Sequence, residues 1–373
     1  MRLLVAAGAS GGGVYPALAV LQELGGEKIS GGEGVELLWV GGEGGIEADL
    51  LSRAGVQFTT LPSAGLHGVG LLALPRNLWQ LTRGYFGAQR LLDEFKPDAL
   101  FFTGGFVAAP VAMAARNVPT LAFVPDIKPG FTLRFIARFA NVIAVVAEEA
   151  RQYFRKSARV QVTGYPLRKE ITRWTRAESQ KHFGLLNDLP TLLVFGGSKG
   201  ARSINQAVIA TLPQLLQEMQ IVHVSGQGNW AEVETAKANL SADLAARYHA
   251  FPYLHDDMGA AFAAADLALC RAGASTLGEL PHFGLPGVLV PIPLAGHLQA
   301  MNADYLEAHS AARILPDSEM KELLVPTLIS LTKDKTKLTE MSKAMAALAA
   351  PNAAAQIAKL LHKLGARKEG AQA

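Results

Sequence analysis

Three segments of this chain carry residue types and spacings suited to holding an anion. Gly8-Ala9-Ser10-Gly11-Gly12-Gly13 follows the apolar run Leu3–Ala7, and Gly196-Gly197-Ser198-Lys199-Gly200 follows Thr191–Phe195. Glycine lets backbone N–H groups approach a ligand, and the N-terminus of a following helix adds partial positive charge; together they suit phosphate. Neither stretch continues into the Gly-Lys-Ser/Thr of a Walker A loop, and neither keeps GxGxxG spacing with an acidic residue at the next strand end. For either loop alone, a tight turn for close helix–sheet packing explains the glycines equally well. Two such loops facing each other across a cleft between domains predict a diphosphate-bearing ligand. In the third segment, Asp266–Glu279, residues Ala274, Ser275 and Thr276 stand where a helix start presents N–H groups to a phosphate. Glu279 lies one turn further on, in reach of ribose hydroxyls. Thr276 and Glu279 also have the spacing of a capping box, which can coexist with ligand binding.

These loops need strands and helices to position them, and the apolar pattern supplies both. Candidate strands are Leu3–Ala7, Glu36–Val40, Ala99–Phe102, Thr120–Phe123 and Val142–Ala147, then Thr191–Phe195, Gln220–Ser225, Ala268–Cys270 and Gly287–Pro291. Helical patterns separate most of them, so the fold class is α/β with parallel, doubly wound sheets. Pro16 is predicted to open a helix over Ala17–Leu24. Gly25–Gly34 reads as a surface loop. The strand–glycine–helix unit recurs, and Gly164 and Pro166 mark a linker. The expected domains are 1–163, 164–350, and a C-terminal helix near 353–364 with its tail over 351–373.

With 373 residues, half of them hydrophobic and 18% charged, the chain has apolar surface enough for two cores. A formal net charge of +3 argues against nucleic acid as the main partner. The single cysteine, Cys270, excludes an intrachain disulfide and a multi-cysteine zinc site, and reads as a small core residue. No signal peptide or run of about 18 apolar residues is visible, so a cytoplasmic protein is expected. No histidine pair has metal-ligand spacing, and Asp256-Asp257 reads as a cap for a helix starting near Met258. Within Leu74–Leu92 a core stripe of Leu74, Leu78, Leu81, Tyr85 and Leu92 is expected. Trp79 and Phe86 fall on the opposite side with Arg76, Arg83 and Arg90. Aromatics interleaved with arginines suit an anionic bilayer surface; an exposed helix packed on a neighbouring loop would look the same.

The chain resembles the MurG family of glycosyltransferases. The resemblance rests on GASGGGVYPALAV (8–20), GIEADLLSRAGV (45–56), KPDALFFTGGFVAAPVAMAA (96–115), GYPLR (164–168), GGSKGARSIN (196–205), DDMGAAFAAADLALCRAGASTLGEL (256–280), GLPGVLVPIP (284–293) and QAMNA (299–303), in the family's order. It implies a GT-B architecture of two Rossmann-like domains, with the donor bound mainly by the C-terminal one. It also implies N-acetylglucosamine transfer from UDP-N-acetylglucosamine to an undecaprenyl-diphospho-muramoyl-pentapeptide, at the inner face of the membrane, with no metal or other cofactor. Ser10, Gly11 and Gly12 match residues at the donor and acceptor diphosphates, Arg168 an arginine near the donor phosphates and Ser198 a second phosphate contact. Ala274, Ser275, Thr276, Leu277, Gly278 and Glu279 match the nucleotide site, with Glu279 on the ribose. Gln299 matches a glutamine near the donor sugar, and Asn302 a neighbouring position. Leu254 or His255 falls where a backbone group reads uracil.

The departures gather on the acceptor side. Gly13 stands where the family's first loop ends in histidine, and Gly104-Gly105-Phe106 replaces Gly-Gly-Tyr. Phe123-Val124-Pro125-Asp126 replaces His-Glu-Gln-Asn, which makes Asp126 the candidate base; a turn before Ile127–Gly130 is the alternative use of that residue. The functions left open are lipid II synthesis, a related UDP-sugar glycolipid transferase, and a non-catalytic UDP-sugar or lipid-binding paralogue. A UDP-sugar 2-epimerase shares the architecture, but its acid/base motifs are not recognisable.

Overall fold

The computed structural model describes the chain apart from residues 9–10, 26–33, 44–50, 52–54, 66–69, 71–73, 116, 294–297 and 370–373. Residues 11 and 367–369 are described by backbone alone. The chain divides into two compact units, Met1–Arg168 with Pro351–Ala373, and Lys169–Ala350.

The first unit is built on a seven-stranded sheet, β1 (Arg2–Ala6), β2 (Glu36–Gly42), β3 (Phe58–Leu61), β4 (Ala99–Phe102), β5 (Thr120–Val124), β6 (Val142–Val145) and β7 (Val160–Val162), in the order β3-β2-β1-β4-β5-β6-β7. The second holds a six-stranded sheet, β8 (Thr191–Phe195), β9 (Gln220–Val224), β10 (Tyr248–Phe251), β11 (Leu267–Cys270), β12 (Gly287–Leu289) and β13 (Ala312–Ile314), ordered β10-β9-β8-β11-β12-β13. Every pairing is parallel; Leu4 lies between Leu38 and Leu100, and Val194 between His223 and Leu269. In each sheet the strand order reverses at one place, β1/β4 and β8/β11, and that switch point is where open α/β sheets receive ligands.

Strands β1, β4, β5, β6, β8, β9, β11 and β12 are buried over nearly their whole length. Burial on both faces is why they read as continuous apolar runs rather than alternating ones. The nine strands expected from sequence are all present. The four that were missed, β3, β7, β10 and β13, are the four sheet edges.

The first helix differs from expectation. It runs Gly11–Gly25, so Gly11, Gly12 and Gly13 form its first turn and Pro16 lies inside it. Pro16 lacks only the N–H that would reach the Gly12 carbonyl.

The helix Leu74–Phe95 also corrects the expected stripe. Leu78 is 59% exposed, and the buried residues are Gly84, Ala88 and Phe95. A Cβ on Gly84 would fall 2.3 Å from the Pro62 carbonyl oxygen, and one on Gly87 2.9 Å from a Leu61 methyl. The helix therefore seats through its small residues, which turns Leu78 outward beside Trp79 (64% exposed) and Phe86 (57%). The C-terminal helix is longer than expected, Ala353–Glu369; it packs on the helix Gly11–Gly25, and Gly365 lies against Met1.

Candidate functional site

In the first unit the loops after β1 and β4 meet at the switch point. Gly104 and Gly105 adopt φ of +129° and +87°, and a Cβ on Gly105 would fall 3.0 Å from Gly8 N. Thr103 Oγ1 donates a 2.6 Å hydrogen bond to the Gly13 carbonyl, tying the end of β4 to the first turn of the helix. Positive φ and close approach together explain the glycine pair. Phe106 follows, half exposed, with its ring against Gly65. Asn77, on the first turn of the helix Leu74–Phe95, donates to the Gly65 carbonyl at 2.7 Å. Arg168 sets its guanidinium 4.3 Å from the ring centroid of Tyr15, on the helix Gly11–Gly25. Asp126, half-buried, stands two residues beyond β5, before the helix Phe131–Ile136. Ser10 lies outside the described residues.

In the second unit the loop after β8 is a tight turn. Gly197 and Gly200 have φ of +83° and +73°, and the Gly200 N–H reaches the Gly197 carbonyl at 2.9 Å. A Cβ on Gly200 would fall 2.1 Å from Ser225 O, and one on Gly196 2.1 Å from Ala201 N. Ser198 and Lys199 project from this turn, exposed. Beside it, the segment after β11 winds into the helix Thr276–Phe283. Its N-cap, Ser275, makes no side-chain capping bond. The Thr276 hydroxyl donates to Gly273 O, and the Glu279 N–H goes to Ser275 O at 2.8 Å, so the capping box that the spacing allows is not formed. Burial, and then the negative charge of Glu279, push the Cys270 thiol up. Cys270 itself is fully buried core.

Gln299 and Asn302 lie on the helix Leu298–Ala308. Gln299 Oε1 accepts the Ile292 N–H at 3.0 Å, and buried Asn302 donates to Ala272 O at 3.2 Å. Both side chains brace the loops leaving β11 and β12. Leu254 is buried and His255 exposed in the loop after β10, with His255 edge-on to Tyr253. Asp257 precedes the helix Met258–Ala264 without making the expected side-chain cap; its carboxylate lies 3.5 Å from His182 Nε2. Among the described residues no group of three or more His, Cys, Asp or Glu could hold a metal ion.

Two polar clusters behind these loops carry no signal in the sequence. Buried His223 on β9 contacts Tyr248 OH at 2.7 Å and Asn205 Oδ1 at 3.0 Å, while Asn205 Nδ2 donates to Ser225 O at 2.8 Å. Burial pushes the His223 imidazole down to about 3, so it is neutral, and raises the Tyr248 phenol. The second cluster joins Ser203, Arg271 and Asp317. Only pairing across the sheet brings these residues together.

The chain matches the glycosyltransferase family 28 N-terminal domain over residues 3–145 and the family's C-terminal domain over 191–359. It is 38% identical to a UDP-N-acetylglucosamine–N-acetylmuramyl-(pentapeptide) pyrophosphoryl-undecaprenol N-acetylglucosamine transferase of Roseiflexus sp., covering 100% of this chain and 97% of the relative. It is 37% identical to the protein of the same name from Desulforamulus reducens, over 99% of this chain and 100% of that one. Among solved structures, MurG of Acinetobacter baumannii superposes with a TM-score of 0.75 at 28% identity, covering 97% of this chain and 99% of that one. A UDP-GlcNAc 2-epimerase from Neisseria meningitidis superposes at 0.68 with 12% identity over 97% of this chain and 100% of that one, a likeness of fold alone. Two Rossmann-type sheets, both family 28 domains and full-length identity to MurG proteins lead to one conclusion: the chain belongs to glycosyltransferase family 28, as a GT-B glycosyltransferase of the MurG family.

Proposed function

We propose that this protein transfers N-acetylglucosamine from UDP-N-acetylglucosamine to the lipid-linked muramoyl-pentapeptide, converting lipid I to lipid II in peptidoglycan synthesis. The observation that carries this is 38% identity to a transferase of that name across the whole chain. The second unit is the donor domain in this reading. Its turn at Gly196–Gly200 and the helix start at Ala274–Thr276 offer N–H groups and a dipole end to the diphosphate. Glu279 accepts hydrogen bonds from the ribose hydroxyls, and the loop holding Leu254 and His255 reads the uracil. Gln299 faces the sugar, and Arg168 adds a fixed positive charge near the phosphates.

The first unit is the acceptor domain, with Gly11, Gly12, Gly13, Gly104, Gly105 and Phe106 around the acceptor diphosphate. The acceptor hydroxyl attacks the anomeric carbon as the bond to UDP breaks. Asp126 takes the hydroxyl proton, while N–H groups and Arg168 meet the charge developing on the departing diphosphate. Leu78, Trp79 and Phe86, flanked by Arg76, Arg83 and Arg90, rest on the anionic inner face of the cell membrane, where the polyprenyl acceptor resides. No helix among the described residues is long and apolar enough to cross a membrane.

The test is radiolabelled UDP-N-acetylglucosamine with lipid I in anionic vesicles, alongside a UDP titration. Label in lipid II is the expected result; UDP binding without transfer to lipid I would overturn the proposed reaction. Gly13, where the family usually has histidine, favours a second reading, a different lipid-linked acceptor. Transfer to another polyprenyl-linked sugar but not to lipid I would select it.

A further inference from the structure

Arg271 opens the segment that winds into the helix Thr276–Phe283, a position from which an arginine could reach a bound phosphate. Its guanidinium is committed elsewhere. Nη1 donates to Val290 O at 3.0 Å and to Asp317 Oδ2 at 2.5 Å, and Nη2 donates to Ser203 Oγ at 2.7 Å. The Ser203 hydroxyl in turn donates to Asp317 Oδ2 at 2.9 Å. The three side chains close a triangle in which serine accepts from arginine and gives to aspartate, and the carboxylate receives from both. Arg271 and Asp317 side chains are only 13% and 23% exposed, so the pair is weakly screened.

The corners come from three separate elements. Ser203 is the second residue of the helix Arg202–Glu218, directly behind the Gly196–Gly200 turn. Arg271 begins the segment after β11, and Asp317 starts the short turn Asp317–Glu319 beyond β13. The triangle thus joins both diphosphate-facing segments, on either side of the β8/β11 switch point, to a residue 114 positions from Ser203 and 46 from Arg271.

We infer that Asp317 is a positioning residue for the donor site: by holding Arg271 against Ser203 it fixes the spacing between the Gly196–Gly200 turn and the helix start at Thr276. The inference rests on the donor-site reading proposed above. Arg271 acts as a strut between the two loops and does not touch the phosphates.

The test compares wild type, Asp317→Ala and Asp317→Asn by calorimetric titration with UDP and with uridine, and by hydrogen exchange of residues 196–203 and 273–279 in the ligand-free protein. Asp317→Ala removes two charge-assisted bonds and is expected to weaken UDP about 10-fold and uridine less than about 3-fold. Exchange should accelerate in both loops. Asp317→Asn keeps an oxygen acceptor and should recover most of the UDP affinity. If Asp317→Ala does not fold, Ser203→Ala removes one corner and leaves the ion pair; it should weaken UDP about 3-fold in the same selective way. Equal losses for UDP and uridine, or unchanged UDP affinity, would overturn the role of Asp317. A wild-type protein that binds no UDP while both loops stay protected from exchange would instead overturn the donor-site reading.

Discussion

A Cβ added to Gly200 in the turn after β8 would fall 2.1 Å from Ser225 O, whereas one added to Gly13 after β1 would meet, among the described residues, nothing nearer than Thr103 O at 3.4 Å. The two segments look alike in sequence, but their glycines serve different ends. After β8 the glycines are compelled by sterics: positive φ at Gly197 and Gly200, and backbone against backbone at Gly196 and Gly200. After β1 the helix starts inside the glycine run, and Gly13 takes an ordinary helical conformation with room for a Cβ among the described residues. Among the described residues a Cβ at Gly13 meets only ordinary van der Waals contacts, with Thr103 O at 3.4 Å and Gly8 O at 3.5 Å. The turn after β8 is therefore fixed by backbone contacts at its glycines, whereas the described contacts of Gly13 do not demand glycine there.

The largest expected effect tests whether the divergent half performs the chemistry. Asp126→Asn should lower turnover by about 10²- to 10⁴-fold with UDP affinity intact, measured by label transfer and titration. Unchanged turnover would remove Asp126 from the mechanism and leave the first unit without its proposed base. Next, Gly200→Ala should destabilise the protein by about 3 kcal/mol or more in urea unfolding, because overlap with Ser225 and a positive φ add together. A cost below about 1 kcal/mol would show that the second turn is no more constrained than the first.

At the surface of the first unit, Trp79→Ser with Phe86→Ser should reduce partitioning onto anionic vesicles about 10-fold in flotation, while UDP binding stays unchanged. Undiminished flotation would move the membrane contact off this helix. In the second unit, His223 is neutral when folded, with its pKa pushed down to about 3. Above its ordinary pKa of about 6.5 both folded and unfolded forms are neutral, and it contributes nothing to the pH dependence. As pH falls below that, the unfolded chain takes the proton and the native imidazole does not, so about 1.4 kcal/mol of stability is lost per pH unit. Urea midpoints between pH 7.5 and 5 should fall more steeply for wild type than for His223→Gln; parallel curves would show that the network does not hold the ring neutral. The smallest effect is expected at Gly13→Ala, within about 1 kcal/mol of wild type and towards greater stability, since alanine favours the helix. A loss of several kcal/mol there would erase the contrast between the two segments.

The strand pattern shows how far the sequence could be read. Runs such as Leu192-Leu193-Val194 announce themselves because both faces of an interior parallel strand are buried. β3 reads Phe-Thr-Thr-Leu and β13 Ala-Arg-Ile; as edge strands they pair on one side only and carry exposed residues, so their pattern falls below what periodicity can detect. The helix Leu74–Phe95 misled in the opposite way. Large apolar residues suggested a core stripe through Leu78, but close approach selects the side bearing Gly84 and Ala88, and small residues carry no weight in a hydrophobic pattern.

The candidate site divides along the same line. Local order was enough for the α/β class, the glycine segments and the family resemblance, because a glycine segment between a strand and a helix is contiguous in sequence and needs particular residue types at fixed spacing. Tertiary structure decided which glycines are compelled, that Gln299 and Asn302 brace loops, and that Arg271 is held by Ser203 and Asp317. Those outcomes depend on distances between segments up to 114 residues apart, set by the order in which parallel strands pair, and residue type and spacing along the chain do not encode such distances locally.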